Sequence, residues 1–225
     1  MKIQMVLCSL LMPSSLLISC SKDDSDDSSS EVPITQQPGP GLQEPTGFVL
    51  DDFKTCAPDY KTSVETYWYA FNDTTDGGKS TSQLALGAPL ADGGPCSLKW
   101  SGQVTIDYEY GYAGIGLDLG GTTLSGYKSI VFKVRGDGAA YRLKLPMKAQ
   151  LDRNEFNFHG VDMMCGDGSS NWKTVTLDLA TLQQEQGWGQ PVKLDLADVG
   201  KIQIQTKGQP IPAFACEIAA LSLMK

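Results

Sequence analysis

A single histidine, His159, limits the acid–base chemistry open to this chain of 225 residues. A Ser–His–Asp arrangement has to be built around it, and no nucleophile-elbow sequence is present. Between Phe158 and Gly160 the imidazole reads as a surface or ligand-contacting group rather than a base. Two carboxylates suffice for glycoside cleavage, and Asp107, Glu109 and Asp118 are available, but acids are too common to select that reaction. A hard cation is a further candidate. Asp73, Asp76 and Ser80 surround Gly77-Gly78, and a glycine-rich loop of carboxylates and hydroxyls suits structural calcium, which wants about six or more oxygens. Asp51 and Asp52 form an alternative donor pair. The regular spacing of a calcium-loop signature is missing, so a plain turn is the competing reading of the Asp73 loop.

Cysteine chemistry points outside the cytoplasm. Cys56, Cys96, Cys165 and Cys216 contain no Cys-x-x-Cys pair, so they predict two disulfides in an oxidising compartment rather than zinc or a catalytic thiol. Three pairings are open. Cys8 and Cys20 belong to the N-terminus, where Lys2 precedes an apolar run from Ile3 to Ile18 that Pro13 interrupts. That run is too short for a spanning helix and suits a secretory signal. Leu17-Ile18-Ser19-Cys20 resembles the bacterial lipobox, which implies a signal peptide over residues 1–19 and lipidation of Cys20.

Residues 20–46 are acidic and then rich in proline. Lys22 stands against Asp23, Asp24, Asp26, Asp27, Glu31 and Glu44, and Pro33, Pro38, Pro40 and Pro45 follow. Such a stretch buries too little to offset its chain entropy and predicts a disordered tether. Lysine followed by two acids beside the lipidated cysteine resembles the export signal of surface lipoproteins in the Bacteroidetes. The expected location is therefore the outer membrane, anchored by lipid and facing the cell surface, with a periplasmic spacer as the alternative. The whole chain carries a formal charge of −8 and no basic patch, which disfavours nucleic acid and leaves acyl chains as the only membrane contact.

The elements that must position these groups lie in residues 47–225, roughly 180 residues, enough for one well-buried domain. Strict alternation over Val104–Tyr110 predicts a strand with Val104, Ile106, Tyr108 and Tyr110 on one face. Further strands are predicted over 47–53, 115–119, 129–135, 141–145, 155–159, 172–177, 201–205 and 214–223. Between them lie Gly, Asp and Pro turns. At most a short turn of helix is expected over 179–186. Many short strands split in this way predict an all-β fold, a two-sheet antiparallel β-sandwich of the jelly-roll type.

The order of motifs carries a resemblance. Asp51-Asp52-Phe53 is followed by Tyr67-Trp68-Tyr69 and the loop from Asp73 to Ser80. Gly111-Tyr112-Ala113-Gly114-Ile115-Gly116, Leu124 to Phe132, Arg135 to Leu143, and Trp172 before Trp188-Gly189 come next. This succession resembles the galactose-binding-like jelly rolls of family 11 carbohydrate-binding modules and of the complex I intermediate-associated protein 30 family. The resemblance implies a concave sheet that in its sugar-binding members holds β-glucan.

A glycan presents apolar C–H faces and a rim of hydroxyls, so its site needs flat aromatics beside forked polar groups. Tyr69, Tyr112 and Trp188 are the candidate platforms; Trp68 and Trp172 read as core, and Trp100 is open. Arg142 and Lys144 share one face of their predicted strand, Asn157 and His159 one face of theirs, and the four are expected to line one groove. The function so implied is a surface-anchored, non-catalytic lipoprotein that holds a β-glucan-like polysaccharide or oligosaccharide. Its rivals are a protein-interaction or assembly module on the same jelly roll and a lipoprotein glycoside hydrolase.

Overall fold

The computed structural model describes residues 47–87, 96–207 and 210–225. The signal segment, Cys20 and the tether lie outside the described residues. Eleven strands and one short helix follow in order: β1 (Gly47–Asp51), β2 (Trp68–Asn72), β3 (Thr81–Leu86), β4 (Leu98–Val104), β5 (Ala113–Asp118), β6 (Ser129–Gly136), β7 (Ala140–Leu145), α1 (Lys148–Asp152), β8 (His159–Met164), β9 (Lys173–Asp178), β10 (Lys201–Thr206) and β11 (Ile211–Met224). Residues Asp73–Asp76 and Leu179–Thr181 form 3-10 turns. No described helix is long and apolar enough to cross a membrane.

Side-chain alternation builds two antiparallel sheets. One runs β3-β4-β11-β6-β9, with β1 beside the far end of β11; the other runs β2-β5-β10-β7-β8. Ile130, Phe132 and Val134 of β6 point inward to meet Tyr141, Leu143 and Leu145 of β7 across the core. All six are buried, each contributing about 1.5–3 kcal/mol of apolar transfer. Trp100 settles as core: it is fully buried, 5.1 Å from the Tyr141 ring and 4.8 Å from Phe214. Its indole N–H donates to Ser82 Oγ at 2.9 Å, so its one polar atom is satisfied. The fold is the expected jelly-roll sandwich.

Two disulfides form, Cys56–Cys96 and Cys165–Cys216. The second joins the end of β8 to β11 and so ties one sheet to the other. Closing loops of 40 and 51 residues removes denatured-state entropy worth about 4 kcal/mol apiece in the chain-entropy model.

Two predicted strands are corrected. The alternation over 104–110 is not a strand: β4 ends at Val104, and the chain turns through a bond from Gly111 N–H to Tyr108 O. With no partner strand to pair against, Ile106 and Tyr110 stand exposed. The alternation over 155–159 fails for a different reason. Asn154 adopts a left-handed φ of 55° after α1, β8 begins only at His159, and the alternation of faces is lost. Phe156 is exposed while Asn157, Phe158 and His159 are buried.

Candidate functional site

The outer face of the five-stranded sheet carries two complete rungs. Tyr69, Gly116, Gln203, Lys144 and Gly160 are paired across all five strands. Phe71, Gly114, Gln205, Arg142 and Asp162 form the neighbouring rung. Four inter-strand gaps of about 4.8 Å make this face about 19 Å wide. It is aromatic at one side, amide-lined in the middle and ionic at the other side.

Glycine makes the aromatic side. A Cβ on Gly116 would lie 2.4 Å from Tyr69 Cζ, and one on Gly114 would lie 2.2 Å from Phe71 Cζ. Any other residue at these positions lifts the rings, so both lie down over β5 only because its outer face has no side chains there. Lys201, paired with Asp118 at 2.9 Å, sits 5.1 Å from the Tyr69 ring centroid. Gln203 Nε2 reaches the Tyr69 hydroxyl at 3.5 Å, and Lys144 Nζ donates to Gln205 Oε1 at 3.1 Å. Burial pulls the Lys144 ammonium below its usual range, with neighbouring Arg142 adding to the effect and Glu185 opposing it. Tyr112 stands next to Phe71 at 6.2 Å and donates its hydroxyl to Asp76 at 2.7 Å. Burial and that carboxylate push the phenol up to about 12.

At the ionic side, Arg142 spends its fork on architecture. It pairs with Asp162 at 3.0 Å and Glu185 at 3.4 Å, and donates to the carbonyls of Gly160 and Gln183 at 3.1 and 2.6 Å. Lys207 also pairs with Asp162. A shallow groove runs between Arg142, Asp162, Thr181, Gln183 and Glu185.

The structure brings Tyr69, Tyr112 and Arg142 to one face but not Asn157 or His159, which corrects the single groove expected for the four polar residues. Asn157 is buried and holds the strap 184–189: its Nδ2 donates to the carbonyls of Glu185 (3.0 Å) and Trp188 (2.6 Å), and its Oδ1 accepts from Glu185 N–H at 3.1 Å. His159 pairs with Leu145, a core position, and is buried. Burial pulls its imidazole below the usual value, partly offset by a bond to the Val192 backbone. Trp188 is exposed beside the strap, its Nε1 donating to Glu185 Oε2 at 3.2 Å. Phe71, Gln203, Gln205 and Asp162 were not among the sequence candidates. The signals for them are the Gly-x-Gly of β5, which asks what lies over it, and the Gln-x-Gln of β10.

The acids expected to hold calcium do not fit a cation. Asp73 is fully buried and accepts from Ser80 N–H (2.9 Å), Ser80 Oγ (2.6 Å) and Tyr112 N–H (3.1 Å). Asp76 is turned to Tyr112. Asp51 accepts from Phe53 N–H and Trp68 Nε1, both at 2.9 Å, and Asp52 is bound to Lys54 and Ser63. Among the described residues no three His, Cys, Asp or Glu side chains cluster as metal ligands. Asp73 instead joins the loop 73–80 to the loop 105–112. Asp107 and Asp118 are paired with Lys79 and Lys201.

No curated protein matches the chain. Among solved structures, it is similar to a family 11 carbohydrate-binding module from Clostridium thermocellum, solved in complex with a β-1,3-1,4-mixed-linked tetrasaccharide. The identity is 17%, with 79% of this chain and 95% of that one covered and a TM-score of 0.57. The family 11 module of the cellulosomal cellulase Lic26A-Cel5E of the same organism matches at 16% identity, 79% and 94% coverage and a TM-score of 0.58. These likenesses establish the fold. The model of the complex I intermediate-associated protein 30 (CIA30) family matches residues 58–218, from the loop before β2 into β11, and the chain belongs to that family.

Proposed function

We propose that this protein is a non-catalytic carbohydrate-binding lipoprotein that holds polysaccharide on the outer face of the five-stranded sheet. One observation carries the reading: Tyr69 and Phe71 lie over glycines at one side of two rungs whose middle positions are Gln203 and Gln205. Flat rings meet the C–H faces of sugars, and amides beside them donate to and accept from hydroxyls. The similarity to modules of family 11, one of them solved with a mixed-linked β-glucan tetrasaccharide, supports a β-glucan-like ligand. Lipidation at Cys20 and an acidic tether would hold the domain at the outer membrane, facing the cell surface, where it would capture polysaccharide. Affinity electrophoresis in gels containing β-glucan, xylan, mannan or agarose tests the binding. Retardation without released reducing sugar is expected. Released sugar means a hydrolase, and unretarded migration in every gel overturns the reading. Incorporation of labelled fatty acid into the wild type and not into Cys20→Ser tests the anchor.

Membership of a family named for an assembly-associated protein favours a second reading, in which the same face docks a protein. Migration unaffected by every glycan, together with a stable complex isolated from native membranes, would select it.

A further inference from the structure

The two rings on β2 do not stand alone. Tyr69 and Phe71 are 6.2 Å apart between centroids, Phe71 and Tyr112 are 6.2 Å apart, Tyr112 and Tyr108 6.5 Å, and Tyr108 and Tyr110 5.8 Å. The five form one continuous row. It runs along β2, passes the start of β5 and leaves the sheet over the loop 105–112. That loop is held in three ways. Asp73 exchanges bonds with the Tyr112 backbone, Ser80 Oγ accepts from Thr105 N–H, and Lys79 pairs with Asp107. Tyr110 is 66% exposed at the end of this fixed row, so an apolar ring faces water on a loop that is tied down.

We infer that the glycan site extends beyond the sheet along this row, and that Tyr108 and Tyr110 are binding residues for a single chain of a neutral polysaccharide. The inference rests on the carbohydrate reading above. Three features specify the occupant. The row is made of tyrosine and phenylalanine, which offer rigid faces, and the tyrosine hydroxyls can bond to a sugar rim. Neighbouring rings are inclined by 43° to 79°, so they share no common plane. A crystalline polymer surface needs a flat platform; a single chain that bends follows an inclined one. The exposed acids along the row, Asp76 and Glu109, repel uronate or sulfate groups and accept bonds from neutral hydroxyls. The polymer axis then lies along the strands at the β2 edge.

The test uses the intact mature protein in gels of the four neutral polymers named above and of polygalacturonate, with titration against oligosaccharides of increasing length from whichever neutral polymer retards it. Affinity is expected to keep rising with length beyond what Tyr69 and Phe71 can cover. The double variant Tyr108→Ala/Tyr110→Ala should bind the polymer about tenfold more weakly, as the loss of two stacking contacts implies. Tyr110→Ala alone should lose about threefold and Tyr110→Trp should restore it. Ile106→Ser, in the same loop but outside the row, should bind as the wild type does. Thermal melting checks that each variant is folded, and Tyr110→Ala serves where the double variant is not. Wild-type affinity in the folded Tyr108 and Tyr110 variants, with binding still weakened in Tyr69→Ala, overturns the extended row and leaves the sheet site standing. Retardation by polygalacturonate that depends on Tyr110 overturns the neutral ligand. A wild type that no neutral polymer retards overturns both the row and the carbohydrate reading.

Discussion

At the β2 side of the open face, Tyr69 and Phe71 rest on glycine backbone and have few polar ties; at the β8 side, Arg142 and Asn157 have nearly all theirs taken. Arg142 binds two carboxylates and two carbonyls, and Asn157 binds three backbone groups of the strap. A ligand at the first side meets ring faces that lose little by being covered. A ligand at the second side has to displace bonds that already hold the protein together, and the exchange yields little net energy. The same sheet therefore presents a surface that can give binding energy next to one already committed to shape. Polar residues on an outward face are not evidence of a site until their partners are counted.

The largest expected effect separates the two sides by pH. Asp51 lies behind the β2 side, bonded to Trp68, and burial pushes its carboxyl up from 3.8 to about 6. Folding therefore favours the protonated acid. The stabilisation is complete below pH 3.8, the unfolded value, and is lost as pH rises through about 6. That shift corresponds to about 3 kcal/mol. His159, behind the β8 side, has the opposite sense: burial holds its imidazole neutral, so stability is lost as pH falls below the ordinary value of 6.5. Denaturant melts of the wild type and Asp51→Asn from pH 3 to pH 7 should diverge by about 3 kcal/mol. Hydrogen exchange at pH 5 should show the strap 184–189 less protected than at pH 7, with β2 unaffected or better protected. A constant difference between the two proteins across pH would remove the assignment to Asp51.

Next in size is the platform itself. Tyr69→Ala/Phe71→Ala should weaken polysaccharide binding by about 2 kcal/mol, roughly thirtyfold, with a small change in melting because both rings are only half buried. Gly116→Ala probes the same point without removing a ring. Its new methyl must displace Tyr69, so binding should fall while the ring remains present. Unchanged affinity in both would mean that the sugar sits elsewhere on the sheet.

On the other side Asn157→Ala should act on stability alone. Three hydrogen bonds from a buried amide are lost and the strap carbonyls are left unsatisfied, a cost of about 2 kcal/mol. Exchange protection over 184–189 should fall, and glycan affinity should change by less than a factor of about three. A large affinity loss with the strap still protected would return Asn157 to the binding site.

The contrast also explains what the sequence made legible. Strands such as β6, β7 and β10 were readable because their alternation is fixed by burial on one side, and the same rule located Arg142 and Lys144 on the outer face. The rule failed at Val104–Tyr110 and Glu155–His159, where equally regular alternation has no neighbouring strand and the loop is set by distant partners, Asp73 for one and the strap for the other. Phe71 stayed hidden for a related reason. Its role depends on Gly114 across the register, and registry between β2 and β5 is a long-range fact that neither segment states. The disulfide pairing was open until the two sheets were in place.

The smallest effect is expected at Trp188, the platform candidate on the β8 side, and it tests the contrast most finely. The indole is 48% exposed, so it is available to stack, but its Nε1 is bonded to Glu185, which is itself engaged by Arg142. Its backbone carbonyl is held by Asn157, which no change of side chain disturbs. Trp188→Ala should therefore leave the strap in place and lower affinity by about threefold or less, the value of one peripheral stacking contact. A loss matching that of the Tyr69/Phe71 pair would mean that the polymer crosses the sheet from β2 to the strap, over the Gln203 and Gln205 positions. A loss of threefold or less, beside a tenfold loss in the Tyr108/Tyr110 pair, would mean that it follows the β2 edge. The ratio of those two losses gives the direction of the bound chain from equilibrium binding alone.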